Sequence, residues 1–527
     1  MDKVLFTKGV IYEKQGNNGK ALETFQKILD DYPDSPVKQG AVSYMTQLYR
    51  VLGNFKAALE QADTIIAQDK ESQYRPAAVI DSMYILVQNS MWEQALKRGD
   101  LFIEDYPQHD SIVEAYQLRA LCKYNLNKFA DASADCRKGL EIAKQMDQMD
   151  KWELSLRQLE ISSLSQQDNK IDETQKAFAA FMDAKKRLDK TIANEDSVIF
   201  LYANALFKAD KKEEAYQQYK YIFDNYKASP YRFESAFSLG QAEANAKSYV
   251  KAKEFLTFAV NGSDSSAAIK SAHKLGWISY NQELYEDALK WFNRSVEIND
   301  ASKGSQLPAI ADIVLDSRLM AADCLYWQKK FAEALTQYKS LPELPVQRQA
   351  MATIRAAQCA IETGDFNLAA KLIDKVLDAN NVIAPELAPT SKKWEPAMQH
   401  LRAKIWFKTD KQEQSEKLFE QIVKENADVN PASVPAATAM AIAESWFYLG
   451  ELAFQKEKYR DAITQYYNVI YGYKFPELQG DACYEAARCF EALKQVTQAR
   501  KMYQKILDDY PGCSKAQTAK TKLQHLK

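Results

Sequence analysis

Cysteine and histidine are the residues best suited to metal binding or nucleophilic chemistry, and this 527-residue chain has seven of the first and four of the second. Their spacing argues against both kinds of chemistry. No C-x-x-C occurs, the cysteine number is odd, and His109, His273, His400 and His525 lie far apart, so no zinc-ligand pattern forms. G-x-S-x-G, H-E-x-x-H and G-x-x-x-x-G-K-[ST] are absent, and Gly16-Asn17-Asn18-Gly19-Lys20 reads as a turn rather than a phosphate loop. Carboxylates are abundant but scattered, at spacings that pair them with lysines four residues away on exposed helix faces. The expectation is therefore no metal, no cofactor and no catalytic residue. An enzyme with a site built into a groove is a remote alternative in so histidine-poor a chain.

Bulk properties narrow the classes further. Lysine plus arginine number 69 against 71 acidic residues, a net charge of −2, which exerts no global pull toward nucleic acid or anionic lipid. No run of eighteen apolar residues exists, and Met1-Asp2-Lys3-Val4-Leu5-Phe6 enters a repeat directly. As written, the chain is expected to have neither a transmembrane segment nor a signal peptide.

The elements that would position side chains follow from a recurring pair of small residues. A small residue stands twelve places before a second one, from Gly9 and Ala21 through Gly276 and Ala288, and Ala403 and Ser415, to Ala487 and Ala499, with Met83 before Ala95 the single misfit. Two antiparallel helices that meet at such residues approach closely. A hairpin that thin cannot bury its own apolar face and must stack on neighbours. Gly 16 and Pro 15 are both scarce, as expected if nearly every residue is helical. The same register explains four cysteines. Cys122, Cys324, Cys359 and Cys489 fall two places after the first small residue, in a column otherwise read as Ile11, Leu48, Ile85, Leu164, Ala205, Ala242, Ile278, Ile405 and Leu452. Cysteine there acts as a small hydrophobe. Successive column members are expected about 10 Å apart, one helix diameter, beyond the about 7 Å that a disulfide tolerates.

Gly9, Tyr12, Ala21, Phe25 and Pro33 fall at the spacings of the tetratricopeptide repeat, as do Trp446, Leu449, Gly450, Ala462 and Tyr466, and Ala487, Phe490, Ala499, Tyr503, Ile506 and Pro511. The chain resembles that family over essentially its whole length, although Ala21, Ala58, Ala95 and Ala132 recur at 37 residues. The resemblance implies an all-α fold: a right-handed superhelical solenoid of about 13 stacked helical hairpins. The endings Phe25-Gln26-Lys27-Ile28-Leu29-Asp30-Asp31-Tyr32-Pro33, Phe102-Ile103-Glu104-Asp105-Tyr106-Pro107 and Tyr503-Gln504-Lys505-Ile506-Leu507-Asp508-Asp509-Tyr510-Pro511 are similar to those of bacterial cell-envelope members, among them outer-membrane assembly lipoproteins and Tol-Pal-associated proteins.

In this family the first helices line a concave groove, and the position four after the small residue often faces it. Here those positions include Phe207, Tyr280, Tyr326, Phe407 and Phe454, and Trp277 lies one place after Gly276. The resemblance thus implies an aromatic-lined trough for an extended or helical peptide. The same spacing also fits aromatics buried in a core, which is the commoner use of an aromatic at helical spacing. Some members also clamp a peptide carboxylate with lysine, asparagine and arginine. Asn204, Lys270 and Lys274 occupy three matching places, but Phe200 and Ser238 stand where a lysine and an asparagine are expected.

Connections at 299–311, 380–394 and 427–439 are longer and contain Pro308; Pro385 and Pro389; Pro431 and Pro435. The expected division is regular repeats over 1–298, and 299–527 with longer loops and a C-terminal capping helix, in one continuous solenoid. The function expected is a non-catalytic scaffold for a protein or peptide partner, with no nucleic acid, acting in envelope assembly. A cytoplasmic adaptor or co-chaperone is the alternative, and a helical-repeat RNA binder a remote one. Localisation is open between periplasm and cytoplasm, and nothing bears on oligomeric state. Because the column keeps its cysteines apart, thiol titration of the denatured, unreduced chain should find all seven thiols free; a count below seven in fresh monomer would sink the packing account.

Overall fold

A computed structural model of the chain describes residues 1–67, 70–302, 308–342, 344–377 and 388–526. Among these residues the structure is all-α, with a single 3-10 turn at Pro431–Ser433 and no strand. Thirteen antiparallel helix pairs follow one another, from Asp2–Lys14 with Asn18–Asp31 to Pro476–Ala492 with Val496–Asp509, and a lone helix, Ala516–His525, comes last. The chain divides into two compact units, Met1–Phe255 and Leu256–Lys527, with the boundary inside helix Tyr249–Val260. Each is a stack of hairpins. A division at 298 by loop regularity rests on a different criterion and stands as a proposal.

Close helix crossing is what builds each pair. Every small residue of the repeating register is buried except Ser162, which is half-buried. At Gly9, Gly276 and Gly450 the ring sixteen places on lies against the glycine. A Cβ placed on Gly9, Gly276 or Gly450 would lie within 2.6, 2.6 and 2.5 Å of ring atoms of Phe25, Phe292 and Tyr466, respectively. These glycines are spaces shaped for rings. Met83 is a size inversion rather than a defect: it is fully buried, and the residue sixteen places on is Gly99, whose added Cβ would meet the Met83 Cε at 3.0 Å. Volume is conserved across the crossing while the order of large and small reverses.

Turns and helix ends repeat as faithfully. Seven places after the crossing residue every hairpin has a left-handed residue, but glycine supplies only Gly16, Gly53 and Gly364; elsewhere it is Ser90, Asn127, Asn169, Asp210, Lys247, Glu283, Lys329, Asp410, Glu457 or Lys494. The first turn shows the closure: the Gly16 amide donates to the Glu13 carbonyl at 2.8 Å and the Asn17 amide to the Tyr12 carbonyl at 2.9 Å, a Schellman pattern that satisfies orphan carbonyls. At several second-helix ends a side chain of the next hairpin does this work. Arg75 Nε donates to the Ile66 carbonyl (2.8 Å), Arg232 Nε to that of Phe223 (3.0 Å) and Gln479 Nε2 to that of Ile470 (2.8 Å).

Cys122, Cys324, Cys359 and Cys489 are buried in the expected column, and all seven cysteines are free and buried. The column itself is less uniform than expected: Ala205 and Ala242 are half-buried, and Ile11 is 48% exposed. Of the long connections, residues 303–307 and 378–387 lie outside the described residues, while helices start directly at Pro308 and just after Pro435, where proline fits the first turn. Because Gly450→Ala would drive a methyl into Tyr466, it should cost about 1 to 3 kcal/mol in denaturant unfolding. Gly19→Ala, whose Cβ would meet nothing within 4 Å, should be neutral or gain up to about 1 kcal/mol.

Candidate partner-binding surface

The register that places small residues at the crossing leaves the positions one and four places later half-buried in most first helices, although Ser163, Asp323 and Ile361 are buried. In the second unit this begins with helix Ser265–Asn281, whose start is fixed by Asp264 accepting from the Ser266 and Ala267 amides. Trp277 Nε1 donates to Asp316 Oδ2 at 3.1 Å, and His273 Nε2 lies 2.8 Å from the same oxygen. Burial works to raise the Asp316 carboxyl, but the His273 hydrogen bond and charge, with Trp277 and Arg348, prevail and hold it below the usual carboxylate range.

Tyr280 accepts from Trp327 Nε1 at 2.9 Å. The Trp327 indole lies parallel to Tyr285, at 16° and 6.1 Å between centroids, and edge-on to Tyr326 at 5.3 Å. Tyr326 donates to Gln358 Oε1 at 2.9 Å, and burial pushes its hydroxyl up to about 12. The Arg355 guanidinium stands 5.5 Å from the ring centroids of both Tyr326 and Trp327 and pairs with Asp323. Asp323, buried, also accepts from Tyr338; desolvation outweighs the guanidinium and keeps its carboxyl above the ordinary range.

Further along, Phe407 packs against Tyr448 at 5.0 Å. Arg488 stands 4.8 Å from the Phe454 ring centroid. Lys404 pairs with Glu362 at 3.3 Å; burial opposes its charge, yet Tyr448, Glu444 and Glu362 hold the ammonium above its ordinary range. The buried His400 ring lies 2.8 Å from Glu444. In the first unit Phe207 is 40% exposed and tilts against Tyr216 at 6.2 Å.

The aromatics are thus placed differently from one another. Phe207 is exposed; Trp277, Tyr280, Tyr326, Phe407 and Phe454 are half-buried. Trp277, Tyr280 and Tyr326 use their polar tips to tie one first helix to the next. Of the clamp set, Asn204 belongs to the first unit and Lys270 and Lys274 to the second. The Asn204 carbonyl already accepts from Tyr219 at 2.6 Å. Trp327 and Arg355 were not singled out from the sequence. One signal was present: five places after the crossing residue, where Trp327 stands, most hairpins have a polar or charged residue, such as Lys14, Gln88, Asn125, Lys208, Glu362 or Gln455. Among the described residues no group of three His, Cys, Asp or Glu is arranged to hold a metal, and no helix is long and apolar enough to cross a membrane.

Residues 3–35 and 481–512 match the family model of the tetratricopeptide repeat. No curated protein matches the chain. Solved structures with similar folds include Cut9 in the APC/C hetero-tetramer Cut9-Hcn1, at 14% identity over 100% of this chain and 96% of that one with a TM-score of 0.35. Yeast Tom70 is 13% identical over 96% of this chain and 98% of its own, with a TM-score of 0.31. A tetratricopeptide repeat protein from Parabacteroides merdae is 14% identical over 51% of this chain and 98% of its own, with a TM-score of 0.34. The family match at both ends, with helical hairpins between them in a single register, supports the tetratricopeptide repeat as the building unit of this all-α chain.

The Asp323–Arg355 pair offers a sharp test. Arg355→Met leaves a buried carboxylate without its cation and should destabilise by about 3 to 5 kcal/mol, and adding Asp323→Asn should recover part of that loss. Phe207→Ala, at an exposed position, should change stability by no more than about 0.5 kcal/mol. Denaturant unfolding measures all three, and an Arg355→Met chain as stable as the parent would remove the pair from the account.

Proposed function

We propose that the chain is a non-catalytic protein–protein interaction scaffold that receives a peptide or protein partner on the faces of its first helices. One observation carries most of this reading. The Trp327 indole is fixed by Tyr280, Tyr285, Tyr326 and Arg355 and still 46% exposed. A rigid aromatic facing solvent is what an interface anchor requires: it offers a large contact area and loses little conformational entropy on binding. Phe207 offers a similar ring in the first unit. Tetratricopeptide repeats generally mediate protein–protein contacts, which fits the same reading.

The finer reading is a role in bacterial cell-envelope assembly, supported by the helix endings at Asp31-Tyr32-Pro33, Asp105-Tyr106-Pro107 and Asp509-Tyr510-Pro511. A second reading, a cytoplasmic adaptor or co-chaperone, draws on seven unpaired thiols, which suit a compartment that keeps thiols reduced. Photo-crosslinking side chains placed at Trp327 and Phe207 should capture a partner protein in cells of the source organism. The same chemistry at the second-helix positions Lys290 and Lys417 should not. Equal capture at all four would remove the first-helix face from the proposal, and the fraction holding the adducts separates envelope from cytosol.

A further inference from the structure

Two places after the crossing residue, first helices bury Leu48, Ile85, Leu164, Ile278, Ile405 and Leu452. In helix Glu195–Lys208 that place belongs to Ala205, which is only half-buried. The hairpin before it, Met149–Ser165 with Ile171–Leu188, is the one whose crossing residue, Ser162, is half-buried as well. A shortened column member thus follows the least covered crossing, and a cleft of about 490 Å³ stands open between the two hairpins. Leu164, Ile171, Ala205 and Ala209 give it an apolar lining. An ion pair between Asp168 and Lys208, at 2.6 Å, joins the hairpins at its rim. Lys170, on the same rim, pairs with Glu173 at 2.5 Å. Gln167 and Thr174 also line the cleft, and their donors are turned to the carbonyls of Ser163 and Lys170 at 3.1 and 2.8 Å.

We infer that this cleft is a binding site for a short, uncharged run of aliphatic residues from another protein. The repeat itself states the chemistry of the occupant: at the same place in other hairpins a leucine or isoleucine fills the space from within, and at Ala205 that side chain is missing. Charge makes the same choice. Asp168, Lys170 and Lys208 are each neutralised by a partner within the chain, so the mouth pulls on neither sign of charge. Size then argues for a run of residues rather than one: the volume exceeds what a single leucine side chain fills and falls within the range of about 300 to 1,000 Å³ usual for ligand sites. The cleft belongs to the first unit and Trp327 to the second, so this site stands apart from the surface assigned above.

The test uses the full chain and two end-blocked, dye-labelled peptides with serine and glycine flanks, one carrying leucines at its centre and the other asparagines. Fluorescence anisotropy should show the leucine peptide binding and the asparagine peptide not. Raising the salt should leave the affinity unchanged, because no unpaired charge is engaged. Ala205→Leu restores the column from within and should lower the affinity by about tenfold or more with no fall in thermal stability. Ala209→Phe fills the mouth from an exposed position, should have the same effect on binding, and decides the matter if Ala205→Leu disturbs the fold. No binding of the leucine peptide, equal binding of the asparagine peptide, or an affinity that falls steeply with salt would overturn the proposal. So would binding undiminished in either variant that keeps its fold, which would leave the cleft as a packing irregularity.

Discussion

The closeness of two backbones at each crossing is the constraint from which the rest of this structure follows. Where a residue without a side chain meets a ring, as at Gly276 and Phe292 or Gly450 and Tyr466, the two helices share one volume that neither could fill alone. Met83 and Gly99 satisfy the same requirement in reverse. The rule selects combined volume rather than identity, as expected of an interior packed as densely as an organic crystal. It also fixes the register of everything else on the hairpin: which residues face the preceding hairpin, which reach the turn and which remain open to solvent.

A second regularity grows from the first. A tyrosine pressed against the crossing carries a hydroxyl into a buried site and must find it a partner. In three hairpins that partner stands fifteen residues earlier, one place after the crossing: Tyr219 donates to Asn204, Tyr338 to Asp323 and Tyr466 to Glu451. These bonds decide much of the electrostatics of the first-helix faces. Asp323, held by Tyr338, becomes the anchor for Arg355, and Arg355 in turn supports Tyr326 and Trp327. A residue chosen for packing thus bears on where a cation of the next helix and an indole of the preceding one stand.

The same logic separates struts from open surface. Tyr280, Tyr326 and Trp277 spend their polar atoms on adjacent first helices, which stiffens the stack locally because each hairpin touches chiefly its neighbours. Exposed apolar side chains are then informative by contrast. Trp327 is exposed while held in place. It departs from the polar pattern of its own repeat position, which a surface-exposed leucine or valine in an ordinary domain does not.

Much of this architecture is legible in the order of the amino acids alone. Crossing pairs, the all-α class, the buried cysteine column and the stops at Asp31-Tyr32-Pro33 and Asp509-Tyr510-Pro511 depend on residue size and local backbone chemistry, which repeat at fixed spacing along one chain. The turns are less legible, because the left-handed position is occupied by Lys247, Glu283, Lys329, Glu457 or Lys494 as readily as by glycine; the closing hydrogen bonds and the packing of the two helices override the local preference of about 1 to 2 kcal/mol. The polarity of the face is not legible at all. Whether Tyr280 meets solvent or Trp327, forty-seven residues on, and whether Asp316 holds Trp277, thirty-nine residues back, depend on which helices lie side by side. Spacing within one helix sets the direction of a side chain, and only the stacking of the next helix decides what it meets.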